Sequence, residues 1–190
     1  MLQYLVFLGA AISLFGGSFY VRDTLRGNTK PNRVTWLMWA AAPMIGTAAA
    51  LADGVGWATL PVFMAGFIPL LVLIASFVNP NAYWKLEKFD YLCGFFSILA
   101  LVLWGITKEP LVAIIFAMIG DGFAAMPTLI KSWKHPETET GLVYIGAIGN
   151  QLTSFFAIKM WSVSEYAFPL YLLTINTLLV LAIYRRKFIK

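Results

Sequence analysis

The stretch Gly120-Asp-Gly-Phe-Ala-Ala-Met-Pro127-Thr-Leu-Ile-Lys-Ser-Trp-Lys-His-Pro136-Glu-Thr-Glu-Thr140 decides how the chain is read. It places one carboxyl group, Asp121, inside an otherwise charge-free apolar segment, residues 111–130, and then runs into a short charged loop. An ionisable side chain at bilayer depth is costly and marks a functional site by default. The helix is expected to break at Pro127, because proline lacks a backbone donor and clashes with the preceding turn.

Outward from this stretch the pattern repeats. Apolar blocks, free of charged residues apart from Asp121, cover residues 2–21, 34–52, 57–78, 91–107, 111–130, 142–158 and 166–184. Each has roughly the 17 to 22 residues a helix needs to cross about 30 Å of hydrocarbon. The 190 residues are 60% hydrophobic and only 12% charged, about half the charged fraction of a soluble domain. The expected fold is an all-α membrane protein with seven transmembrane helices, leaving no room for a soluble domain. Arg22, the first basic residue, follows the first block, so that block reads as a retained helix and not as a secretory signal. Twelve of the fourteen Lys and Arg fall on one side if the N-terminus is outside, and only Lys108 and Lys159 fall on the other. The excess of Lys and Arg on cytoplasmic loops therefore predicts N-terminus out and C-terminus in. With no sign of organelle targeting, a bacterial-type cytoplasmic (inner) membrane is expected.

Along the chain, Gly9, Ser13, Gly16, Gly17 and Tyr20 share one face of the first helix, the kind of small-residue face that packs on other helices in lipid. Trp39, Pro43, Gly46 and Ala50 repeat this in the second helix. Pro61 and Pro69 predict a bent third helix. The segment from Tyr83 to Asp90 has the aromatic and basic character of an interfacial stretch. In the fifth helix Ala113, Ala117, Asp121 and Thr128 form a stripe that aims the carboxyl group into the bundle.

Sliding the chain over itself by 105 positions superposes Gly17 on Gly122, Arg26 on Lys131, Pro31 on Pro136 and Thr35 on Thr140. The layout is two three-helix bundles in parallel orientation joined by a single linker helix: 1–80, an interfacial segment with the linker at 81–108, and 109–190. Parallel repeats are a known transporter architecture, with the site at the repeat interface. The loop Tyr20-Val-Arg-Asp-Thr-Leu-Arg-Gly-Asn-Thr-Lys-Pro-Asn-Arg-Val-Thr-Trp36, with Met126-Pro127-Thr-Leu-Ile-Lys131 in the second copy, resembles the PQ-loop membrane proteins. That superfamily includes the SWEET sugar transporters and the lysosomal cystine and cationic amino-acid exporters. The resemblance implies a three-one-three helical fold and a solute site facing asparagines on the third helix of a unit. Asn176 matches that position in the second copy, while the first has Leu71.

The candidate substrate-binding residues are Asn176, Asn150, Trp39, Gln151 and Ser13. Side-chain amides offer donors and acceptors together, which suits hydroxylated or zwitterionic solutes, and they serve equally as glue between helices. Gln151 is the weaker candidate, pointing roughly 100° away from Asn150. Trp36, Trp39 and Trp104 are candidate stacking walls, with Trp36 read first as an interfacial anchor; Trp57, Trp84, Trp133 and Trp161 read as belt residues. Asp121 is the candidate proton-coupling group, with a protonated, helix-bridging acid as the bland alternative. Pro43, Pro127, Pro69 and Pro169 are candidate hinges for gating. Glu137 and Glu139 read as solvated charges. No catalytic residues, metal ligands or cofactor are expected, because one Cys93 and one His135 supply neither a metal site nor a nucleophile–base pair. The expected partners are a small-molecule solute and membrane lipids. A homo-oligomer is left open, and basic residues spread among loops give no nucleic-acid surface. The reading is a transporter of a small polar solute such as a sugar or amino acid, with possible proton coupling. The alternative is a non-transporting receptor or scaffold that uses its cytoplasmic loops.

Overall fold

The computed structural model describes residues 4–52, 57–106, 110–158 and 161–188. Seven α-helices occupy these residues: α1 (Leu5–Leu25), α2 (Arg33–Ala52), α3 (Leu60–Val78), α4 (Lys88–Ile106), α5 (Pro110–Lys134), α6 (Leu142–Ser154) and α7 (Val163–Phe188). Lys108, Lys159 and residues 53–56 lie outside the described residues, as do the side chains of Trp104 and Ala113. Each helix overlaps one of the apolar blocks. Four of the described helical segments, Leu5–Leu25, Leu60–Val78, Ile114–Lys134 and Glu165–Arg185, are long and apolar enough to cross a membrane. Phe15, Phe77, Phe95, Ile98, Ile106 and Leu181 stand exposed on the outward faces. Water would not tolerate so many apolar side chains over a whole surface, whereas lipid does. The chain is an all-helical membrane protein.

The helices form a closed ring. α1 packs on α3 and α6, α2 on α3 and α5, and α7 on α5 and α6, while α4 lies outside the ring against α5 and α2. The small-residue face of α1 makes the α1–α6 seam. A Cβ on Gly16 would sit 2.4 Å from the Leu142 carbonyl oxygen, and one on Gly146 would sit 3.0 Å from that of Ile12. Backbones meet there because no side chain separates them. On the other flank, Gly17 makes room for Ile68 of α3.

Three local expectations change. α5 does not break at Pro127 but continues to Lys134. A buried proline forfeits one hydrogen bond to the preceding turn, and packing against neighbouring helices sustains the rest. Pro61 lies in the first turn of α3, where its missing N–H costs nothing, so only Pro69 stands inside that helix. α6 is shorter than its apolar block: it ends at Ser154 and tightens into a 3-10 turn, Phe155–Ala157. There the hydroxyls of Thr153 and Ser154 donate to the carbonyls of Asn150 and Gln151 on their own helix, a local bond that competes with regular helix.

Loop chemistry closes one end of the ring. Gly27, with φ +77°, ends α1 in the left-handed conformation that glycine adopts without strain. Asn32 caps α2, its Oδ1 accepting from the backbone N–H groups of Val34 and Thr35, while its Nδ2 donates to Asp90. Arg33 donates to the Ser76 carbonyl and lies over the rings of Phe77 and Tyr83. The α1–α2 loop is thereby fastened to α3 and to the start of α4.

Candidate functional site

The inward faces of the ring enclose a cavity of about 80 Å³. α2 contributes Trp36, Trp39 and Pro43 at helical spacing, α3 contributes Met64, Ala65, Ile68 and Pro69, and α6 contributes Val143, Tyr144, Ala147, Asn150 and Gln151. Ser13 of α1, Asp121 of α5 and Phe168, Leu172, Ile175 and Asn176 of α7 complete it. Every expected substrate-binding residue thus lines one cavity, together with Asp121 and two of the four hinge prolines. Asn150 and Gln151 both face it because the inward arc of α6 spans positions 147, 150 and 151, wide enough to hold two adjacent residues. Pro127 is buried inside α5 and does not line it.

At Pro43, Ala65, Asp121, Gln151, Phe168 and Leu172 the cavity adjoins a vestibule of about 430 Å³. The vestibule is lined by Gly46, Pro61, Ile114, Ser154, Ile158, Glu165 and Pro169. It therefore extends to the end of the ring where α3, α5 and α7 begin and α6 stops. Asp121 stands at the junction. One of its carboxylate oxygens accepts from the Tyr171 hydroxyl at 3.1 Å, which orients the group towards the two spaces.

The amides are not equally available. A carbonyl can only accept, so the Asn150 atom facing the Pro61 carbonyl at 3.1 Å is its NH2. This leaves the Asn150 Oδ1 buried with no partner among the described residues. Asn176 likewise donates to the Leu172 carbonyl at 2.8 Å. Trp39 Nε1 is buried and has no partner among the described residues. Unsatisfied polar atoms around a small space are what a bound ligand or ordered water would satisfy.

The opposite end of the cavity is shut by aromatic rings and charge. Trp36 is fully buried, not an interfacial anchor, because the rings of Tyr20 and Tyr144 pack on it. Its ring lies 4.7 Å from that of Tyr20, 5.5 Å from Trp39 and 6.4 Å from Tyr144. Beneath these rings Lys131 and Glu139 form an ion pair whose side chains are 1% and 0% exposed. The hydroxyls of Tyr20 and Tyr144 both donate to Glu139 Oε2, at 2.8 and 2.9 Å. Lys131 Nζ also donates to the Lys30 carbonyl and sits 5.3 Å from the Trp84 ring. Glu139 is therefore no solvated charge: the short Pro136–Thr138 turn folds it inward. Trp84 likewise turns onto Lys131 and His135 instead of joining a belt, whereas Trp57, Trp133 and Trp161 stay exposed. The two charged loops are joined directly, Lys30 N–H to the Thr138 carbonyl at 3.0 Å and Thr140 Oγ1 to Asp23 at 2.7 Å.

Sequence reasoning missed this cluster, although Tyr20 sits at the end of the small-residue face of α1 and Lys131 falls on Arg26 when the sequence is slid over itself by 105 positions. No protein-family model, curated protein or solved structure matches the chain, so the assignment rests on the residues themselves.

Proposed function

We propose that the chain is a membrane transporter that carries a small polar solute by alternating access. The observation that carries this reading is the cavity at Asp121, which is continuous with a vestibule at one end and blocked at the other by Trp36, Tyr20 and the Lys131–Glu139 pair. A space shut on one side and approached from the other is half of a transport cycle. The helix pairing supports a three-one-three arrangement of parallel repeats across seven crossings. Exchanging α1, α2 and α3 for α5, α6 and α7 turns the α1–α6 contact into α5–α2, α1–α3 into α5–α7 and α2–α3 into α6–α7, and all six contacts are present. α4 is the unpaired linker. This agrees with the PQ-loop and SWEET-like resemblance of the two loops.

In this reading the N-terminus is outside a bacterial-type inner membrane, and the blocked end is cytoplasmic. The state described is then outward-facing. Opening the cytoplasmic end requires Glu139 to leave Lys131 or the two tyrosines, and Pro43, Pro69, Pro127 and Pro169 are the sites where helices flex. Asp121, with no basic partner among the lining residues, is the group through which a proton or cation couples to the movement. The scaffold alternative needs loops free to bind a partner, but here the loops spend polar groups on each other.

Uptake into sealed proteoliposomes tests the proposal. A transporter moves solute down its gradient, and Asp121→Asn abolishes the flux while the protein remains folded and inserted. Binding without flux in the unaltered protein, or undiminished flux in Asp121→Asn, overturns it.

A further inference from the structure

The cavity walls favour positive charge. Among the described residues that line the cavity or the vestibule none is Lys, Arg or His, whereas Asp121 lines both. Each of the two asparagines spends one of its two amide N–H donors on a backbone carbonyl, and Asn150 Oδ1 is without a partner among the described residues. The Tyr144 hydroxyl is committed to Glu139, which leaves its ring for the cavity beside those of Trp36 and Trp39. Carboxylate, carbonyl oxygen and three aromatic rings are the groups that attract a cation. The indole N–H groups of Trp36 and Trp39 are the unpartnered donors identified among them.

A sugar presents hydroxyls that each need a partner. Here most of the wall is apolar or aromatic, and Asn150 and Asn176 each spend one amide N–H on their surroundings. An amino acid carries a carboxylate, for which no basic residue is at hand. Resting on the reading of this cavity as the solute site, we propose that the solute is a small organic cation without a carboxylate of its own. It is a protonated amine or quaternary ammonium ion, with its charged head between Asp121 and the rings of Trp36, Trp39 and Tyr144. The small cavity suits a compact head, and the vestibule accommodates a tail.

The test is calorimetric and fluorescence titration of the purified full chain with methylammonium, tetramethylammonium and choline. Two controls accompany them: 3,3-dimethylbutan-1-ol, which has the shape of choline with carbon in place of the charged nitrogen, and glycine betaine, which adds a carboxylate. At least one cation is expected to bind saturably. Choline is expected to bind at least about tenfold tighter than the neutral alcohol, a ratio within the range of a desolvated cation–aromatic contact, and tighter than glycine betaine. Asp121→Asn and Trp39→Leu lose the preference; the ligand comparison on the unaltered protein stands even where a variant does not fold. No saturable binding of any cation, or equal binding of the alcohol, overturns the proposal. Flux of the same compounds separates the two readings. Cation binding without flux keeps the cation site and removes the transport function, whereas flux of a neutral solute without cation binding does the reverse.

Discussion

The buried pair beneath the aromatic rings makes a quantitative prediction. Lys131 and Glu139 are 1% and 0% exposed at their side chains, and Glu139 also accepts from Tyr20 and Tyr144. Lys131→Met leaves Glu139 charged and buried with only two phenols to stabilise it. Glu139→Gln leaves an ammonium group with the Lys30 carbonyl and the face of Trp84. Removing one partner of a buried pair costs about 3–5 kcal/mol, because the charge left behind has lost both water and its counter-ion. The double variant Lys131→Met/Glu139→Gln removes both charges and keeps an amide oxygen for the two tyrosines, so most of the loss returns. Thermal unfolding of the purified protein in detergent, followed by tryptophan fluorescence, should show each single variant melting on the order of 10 °C lower, with the double variant less impaired than either. Strictly additive losses would refute the reasoning, since additivity means that the two residues do not act on each other.

Other outcomes follow from other parts of the ring. Gly16→Ala places a methyl 2.4 Å from the Leu142 carbonyl oxygen and should cost about 1–3 kcal/mol in thermal stability, as overpacking does. Gly105→Ala, which meets nothing within 4 Å, should be neutral or slightly stabilising, and equal effects would remove the α1–α6 seam from the account. Asn150→Leu exchanges the Pro61 contact and the unpartnered Oδ1 for an apolar side chain, so solute affinity should fall at least about tenfold; unchanged affinity excludes Asn150 from the site. Pro127→Ala should change the rate of flux more than solute affinity, and unaltered kinetics would show that this buried proline is not a hinge. In a Cys93→Ser background, Glu137→Cys should react with an impermeant maleimide only from the cytoplasmic face, and reaction from the other face inverts the proposed orientation.

The helices were legible because lipid leaves a chain few options. An apolar block of spanning length must satisfy its own backbone, and Pro, Gly and Asn mark where it stops. Asp121 was legible for a related reason, since a carboxyl group between apolar turns has nowhere to go but the bundle interior. The small-residue face of α1 was legible through spacing alone. The closed end was not. Glu139 meets Tyr20 across 119 residues and meets Lys131 only because the loop folds back. Read locally, residues 134–140 look solvated, and nothing in their composition separates a buried glutamate from its exposed neighbour Glu137. Trp36 posed the same difficulty, since a tryptophan one turn into a helix can face the interface or the interior. What decides between them is whether a distant ring, here Tyr20 or Tyr144, arrives to pack on it. The chemistry of the amides was also beyond local reading, because it turns on which atom the Pro61 carbonyl occupies.

Ala65 lines both the cavity and the vestibule, and a single cysteine there reports most directly on whether the site is reached from both sides of the membrane. With Cys93→Ser, Ala65→Cys is treated with an impermeant thiol reagent in right-side-out and inside-out vesicles, with and without transported solute. Alternating access predicts modification from either face and protection by solute on both. Modification from one face only, in a protein that still transports, would contradict it.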